Sequence, residues 1–98
     1  MAEIKLRSEQ SDEAVIILRD ALKTEEMRLS HALELAERRI HRFEEKYGIS
    51  SNNFIEQWTA EDLQGGDVEY VEWAGEMKLA SRTQERLNIL KNIEYVDW

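Results

Sequence analysis

Leu29, Leu33, Ala36, Ile40, Phe43 and Tyr47 follow one another at steps of 4, 3, 4, 3 and 4. That spacing draws an apolar seam down one face of a helix, with the period of a coiled coil. Val15, Leu18 and Leu22 extend the stripe toward the N-terminus, and Glu25 interrupts it as a stutter before Leu29. The chain contains no Pro, so nothing breaks the run before Gly48, a residue suited to a helix C-cap. A helix over about 11–47 is therefore expected, roughly 50–55 Å long. A 98-residue chain cannot enclose such a rod in a globule. Either a second long helix or a second copy of the chain must cover the seam.

The remaining sequence supplies that second helix. Ser50 or Ser51 opens a short helix over about 51–63 that places Phe54, Ile55 and Trp58 on one side. Gln64-Gly65-Gly66 ends it, and Asp67 caps a third helix running to about Tyr95. Tyr70, Trp73 or Ala74, Met77, Ala80, Leu87, Leu90 and Ile93 mark its apolar face, which thins to small and polar residues around Ser81–Gln84. The predicted fold is all-α: a long antiparallel, coiled-coil-like helical hairpin with a short helical elbow, in one domain over 11–98. Residues 1–10 form a tail or a short strand, since Ile4 and Leu6 alternate with charges in "EIKLR". Because the Leu29–Tyr47 seam is longer than the elbow and third helix are expected to cover, it is expected to receive a second copy, giving a homodimeric bundle.

Charge narrows the partners. The net charge is -8, and it is uneven: residues 1–49 carry 11 acids and 9 bases, residues 50–98 carry 10 acids and 4 bases. Seven acids and no Lys or Arg lie within residues 56–76. Such a surface repels a phosphate backbone and an anionic leaflet, so neither direct nucleic-acid binding nor membrane binding is expected. No apolar run approaches a membrane span, the N-terminus shows no signal-peptide core, and a cytoplasmic location follows as the default. Cysteine is absent, which removes disulfides and thiolate metal sites.

Catalytic signatures are lacking. There is no cysteine nucleophile, no phosphate-binding glycine loop and no local Ser-His-acid pattern. Glu37, His41 and Glu44 or Glu45 share a helix face at metal-ligand spacing, but the residues three before His31 and His41 are Arg28 and Arg38 rather than Glu. They read as a solvated flank, so no metal, cofactor or enzymatic activity is expected. Arg38, Arg39, Arg42 and Lys46 are interleaved with acids and read as ion-pair partners, within their helix or with the elbow's acids.

Two stretches, "FEEKYGISSNNFIEQW" and "EDLQGGDVEYVEWAGE", carry a resemblance over about residues 40–77. They are similar to a family of short prokaryotic helical proteins with an F-E-x-K-Y-G-hydrophobic-S-S motif, a Gly/Asp-rich turn and an acidic segment ending in E-W. Here these are Phe43, Glu44, Lys46, Tyr47, Gly48, Ser50 and Ser51, then Gly66 and Asp67, then Glu72 and Trp73. Asn52, Asn53 and Gln64-Gly65-Gly66 depart from the family's more acidic pattern. The resemblance implies an antitoxin-like protein encoded beside a TumE-like toxin. Independently, an acidic helical surface suits a basic partner protein. The expected partner surface is Glu61, Asp62, Glu69, Glu72 and Glu76, with Tyr70 or Trp73 as apolar anchor.

Overall fold

The computed structural model describes residues 2–57 and 67–96, and within them the chain is an all-α hairpin. Helix α1 spans Ser11–Tyr47, α2 spans Ser51–Gln57 and α3 spans Asp67–Lys91, with α1 and α3 packed side by side. The 37 residues of α1 fill most of the molecule's 61 Å length. Trp58, Glu61, Asp62 and Gly65-Gly66 lie outside the described residues, as does the end expected for the short helix.

Local chemistry accounts for the helix ends. Gln10 precedes α1 without a side-chain cap, while its own N–H bonds to Ser8 Oγ and Asp12 and Glu13 place negative charge in the first turn. Ser11 and Asp12 are the first two residues of the helix itself. At the other end Gly48 takes a left-handed φ of 63° and donates its N–H to the Glu44 carbonyl at 2.9 Å. Helix α3 stops at Lys91 rather than near Tyr95. Asn92 and Ile93 close it with bonds to the carbonyls of Ile89 and Leu90, three residues back, a tightened last turn. Ala2–Gln10 forms no strand and is exposed, Ile4 and Leu6 included.

Heptad spacing governs the packing. Leu22, Leu29, Ala36 and Phe43 stand seven residues apart on α1; Leu29 and Ala36 are buried, Leu22 and Phe43 half-buried. On α3, Trp73, Ala80 and Leu87 repeat at the same interval, with Trp73 and Leu87 buried. Two ion pairs across the helices show the antiparallel register: Arg39 meets Glu76 at 3.2 Å and Lys46 meets Glu69 at 2.5 Å. Seven residues forward on one helix match seven residues back on the other.

The Leu29–Tyr47 seam is thus used inside one chain. Leu29 and Ala36 are closed off, and Leu33, Ile40, Phe43 and Tyr47 are half-buried. The third helix runs antiparallel along this seam and takes part in covering it.

About one turn along from the Arg39–Glu76 pair, fully buried Ala36 stands near the level of Ala80 on α3. Both side chains are small, so a larger one at Ala36 has little space to enter. Ala36→Leu should therefore cost about 1–3 kcal/mol through overpacking. A urea midpoint equal to the parent's would show that the waist has spare room.

Candidate functional site

The elbow gathers the residues that the sequence singled out. Gly48 turns the chain, and Ser50 accepts from Asn53 N–H through its hydroxyl while its carbonyl accepts from Phe54 N–H, which starts α2. The half-buried Glu44 of α1 reaches over the turn. Its Oε2 accepts from both the backbone N–H and the hydroxyl of Ser51, each at 2.9 Å. A carboxylate from the preceding helix thereby caps α2.

Short α2 then buries Phe54 against Trp73 of α3. Both side chains are fully buried, and their rings stack at 3.9 Å between centroids with 7° between planes. Phe43 and Tyr47 stack on the same indole at 5.6 and 5.9 Å, and Tyr70 tilts against Phe54 at 4.9 Å. Rings from three helices meet on one tryptophan. Its Nε1–H donates to Ser51 Oγ at 2.9 Å, so the indole's one polar group is satisfied in the same joint.

The acids around the stack are mostly engaged. Glu69 accepts from Lys46 and from the Tyr47 hydroxyl. Glu76 pairs with Arg39 through Oε1, while its Oε2 is buried without a hydrogen-bond partner. Lys46, then the Tyr47 hydroxyl, holds the Glu69 carboxyl below its ordinary value of 4.5; the same contact with Glu69 raises both Lys46 and Tyr47. The Ser51 backbone N–H, followed by His41 and the Ser51 hydroxyl, likewise lowers Glu44. Of the expected partner surface, Trp73 is buried, Tyr70, Glu69 and Glu76 are half-buried, and Glu72 is exposed. Glu61 and Asp62 lie outside the described residues. The structure brings Glu69, Tyr70, Trp73 and Glu76 together as a helix joint, with Glu72 on the outside.

Ser51, Glu44 and His41 form a bonded chain, with His41 Nδ1 at 3.0 Å from Glu44 Oε1. The order is wrong for a hydrolase triad, where histidine stands between the nucleophile and the acid. Here the carboxylate is in the middle, is held ionised and makes a poor base. Ser51 also accepts the indole N–H, which opposes nucleophilic use. Glu37, His41, Glu44 and Glu45 do not assemble into a ligand set; among the described residues no cluster of three acids or histidines is placed to hold a metal. None of the described helices is long and apolar enough to cross a membrane. Compared with known proteins, the chain matches no family model, no curated protein and no solved structure.

The sequence signals point partly to this arrangement, since Trp73 falls on the apolar face of the third helix and Arg39 and Lys46 meet acids of α3. No periodicity signals the bonds from Ser51 to Glu44. A Glu seven residues before a serine, across a Gly turn, is the pattern that carries them.

Two outcomes are expected. Trp73→Ala should cost about 3–5 kcal/mol and loosen α2, read as lost helicity and a lower urea midpoint. A loss below about 1 kcal/mol would mean that the stack adds little. Because Glu44 and Glu69 are lowered when folded, their contribution is fully present above the ordinary carboxylate value of 4.5 and is lost as pH falls through the folded values. Urea midpoints should drop between about pH 5 and 3, and Glu44→Gln should flatten that drop. Identical slopes for variant and parent would refute the role given to Glu44.

Proposed function

We propose that this chain is a non-enzymatic, cytoplasmic protein-binding module, antitoxin-like, that holds a basic partner protein. The observation that carries the reading is the elbow end's outer surface. Exposed acids Glu56 and Glu72 stand at the same end as exposed Ile55, Val68 and Val71, on a chain of net charge -8. Apolar side chains rimmed by unengaged carboxylates suit a cationic protein surface, with charge steering the encounter and apolar contact holding it. Val68 and Val71 take the anchoring role in place of the buried Trp73. The proposed partner surface is Glu72, Val68 and Val71, with Glu56 at the same end of the hairpin; the expected Glu61 and Asp62 lie outside the described residues. The joint beneath keeps this surface rigid.

A second reading, a self-associating helical scaffold, is favoured by one observation: α3 carries apolar residues on both its inner and outer faces.

The test uses a small basic protein encoded beside this chain. Glu56→Gln with Glu72→Gln should slow association several-fold at low salt and shrink its salt dependence, while dissociation changes little. Unchanged rates with the fold intact would refute the acidic docking surface. The absence of any neighbouring gene for a basic protein would remove the antitoxin reading.

A further inference from the structure

Opposite the buried Trp73–Ala80–Leu87 row, α3 presents Val68, Gly75, Arg82 and Ile89 at heptad spacing, flanked by Val71 and Leu79. Val68, Val71 and Ile89 are between 68% and 69% exposed, and Leu79 is 46% exposed. The matching outer row of α1 is Ile17, Thr24, His31, Arg38 and Glu45, apolar only at its first position. The outer face of α3 is apolar at both of its ends. The chain exposes 8070 Å², against about 5,800 Å² for a compact folded chain of 11.6 kDa, as befits an elongated hairpin with an exposed N-terminal tail. Its radius of gyration of 19.4 Å exceeds the roughly 12.5 Å of a globule this size. Such a chain has ample outer surface for the ~800 Å² that each protomer contributes to a standard interface.

We propose that a second copy of this chain covers the row: two α3 helices pair antiparallel about a two-fold axis passing beside Leu79. This deepens the self-association reading, and it requires no other partner. The row is self-complementary about that axis. Leu79 meets Leu79 of the second copy, Val68 meets its Ile89, and Gly75 leaves room for its Arg82. On the same flank as Leu79, Glu72 faces Arg86 of the second copy, an arginine that also lies near enough to Glu25 of its own chain to favour that carboxylate, and the symmetry makes the pair twice. Like positions face one another across an antiparallel two-fold, so the opposite sign of Glu72 and Arg86 sets the orientation as well as the attraction. A parallel arrangement would set this flank against the opposite flank of the second copy and lose the Glu72–Arg86 pair. The other flank brings the two Lys78 side chains near the axis, where their long stems turn the ammonium groups outward to water. Glu72 and Val71 lie in this interface too, so a basic partner binding there competes with the second copy.

Sedimentation equilibrium of the full chain alone tests this without any partner. The parent should dimerise with a micromolar Kd, and Leu79→Asp should weaken it at least tenfold while helicity holds, because Leu79 lies outside the hairpin core. Glu72→Arg alone and Arg86→Glu alone should each weaken the dimer, and the two together should restore it to within about threefold of the parent. Lys78→Leu should tighten it. A clean monomer up to about 100 µM would overturn the proposal, since a standard interface is populated well below that. So would a dimer indifferent to Leu79→Asp, or a charge swap that fails to restore pairing. Should Leu79→Asp unfold the chain, Ile89→Ser on the same row replaces it. A parent chain that stays monomeric yet associates with the basic partner would refute only this proposal, and a dimeric parent that shows no such association would refute only the docking surface.

Discussion

The hairpin depends on one indole. Two helices of these lengths could slide past each other by whole turns if only leucines and alanines met, since heptad seams look alike from layer to layer. Trp73 removes that freedom. It is filled from one side by Phe54 of α2 and from α1 by Phe43 and Tyr47, and its nitrogen is bonded to Ser51. A shift of one heptad would strand a buried indole N–H and two aromatic faces. The ion pairs Arg39–Glu76 and Lys46–Glu69 repeat the same register one heptad apart. As partly exposed pairs they add little stability, but a slipped register would oppose charges differently.

This dependence changes the meaning of the acidic segment. From composition, the acids of residues 56–76 look like a field in search of a cation outside the molecule. Two of those in α3 find it inside. Glu69 and Glu76 occupy the heptad position beside the core and reach the basic residues of α1. The motif residues Phe43, Glu44, Lys46, Tyr47, Gly48, Ser50, Ser51 and Trp73 all serve the joint. Glu72, one position off that row, is exposed. The same patch of sequence therefore holds both a structural and an unengaged population of acids, separated by helix phase.

The helices, their order and the Gly48 terminus were legible because period and capping act locally. A 4-3 seam identifies its buried face whatever lies opposite it, and Gly after a long apolar stripe needs no tertiary information. What covers the seam was not legible. Whether α3 or a second copy lies on Leu29 and Ala36 depends on how the elbow directs the chain, and that is decided by the Glu44–Ser51 cap and the Phe54–Trp73 stack, contacts between residues 7 and 19 apart in sequence. The outer row of α3 escaped notice for a related reason. Once Tyr70, Trp73 and Met77 define an inner face, Val68 and Val71 read as incidental, and only the exposures show a second stripe. The end of α3 depended on a tightened last turn that no periodicity encodes.

The position beside the core on α3 changes along the helix: Glu69, Glu76, Thr83, Leu90. Near the elbow it carries charge and is answered by Lys46 and Arg39; at the buried Thr83 it is small and uncharged; at Leu90 it is apolar. Aromatic stacking and ion pairs thus build one end of the hairpin, and aliphatic side chains the other, where Arg19 lies 5.0 Å over the Tyr95 ring. Stacked rings and charge pairs demand one geometry, whereas aliphatic layers tolerate small displacements. The elbow end therefore sets the register, and the open end follows it. Surfaces carried on the first part of α3 inherit that fixed geometry from the joint beneath them, which is why a recognition surface is better placed over the elbow than at the open end.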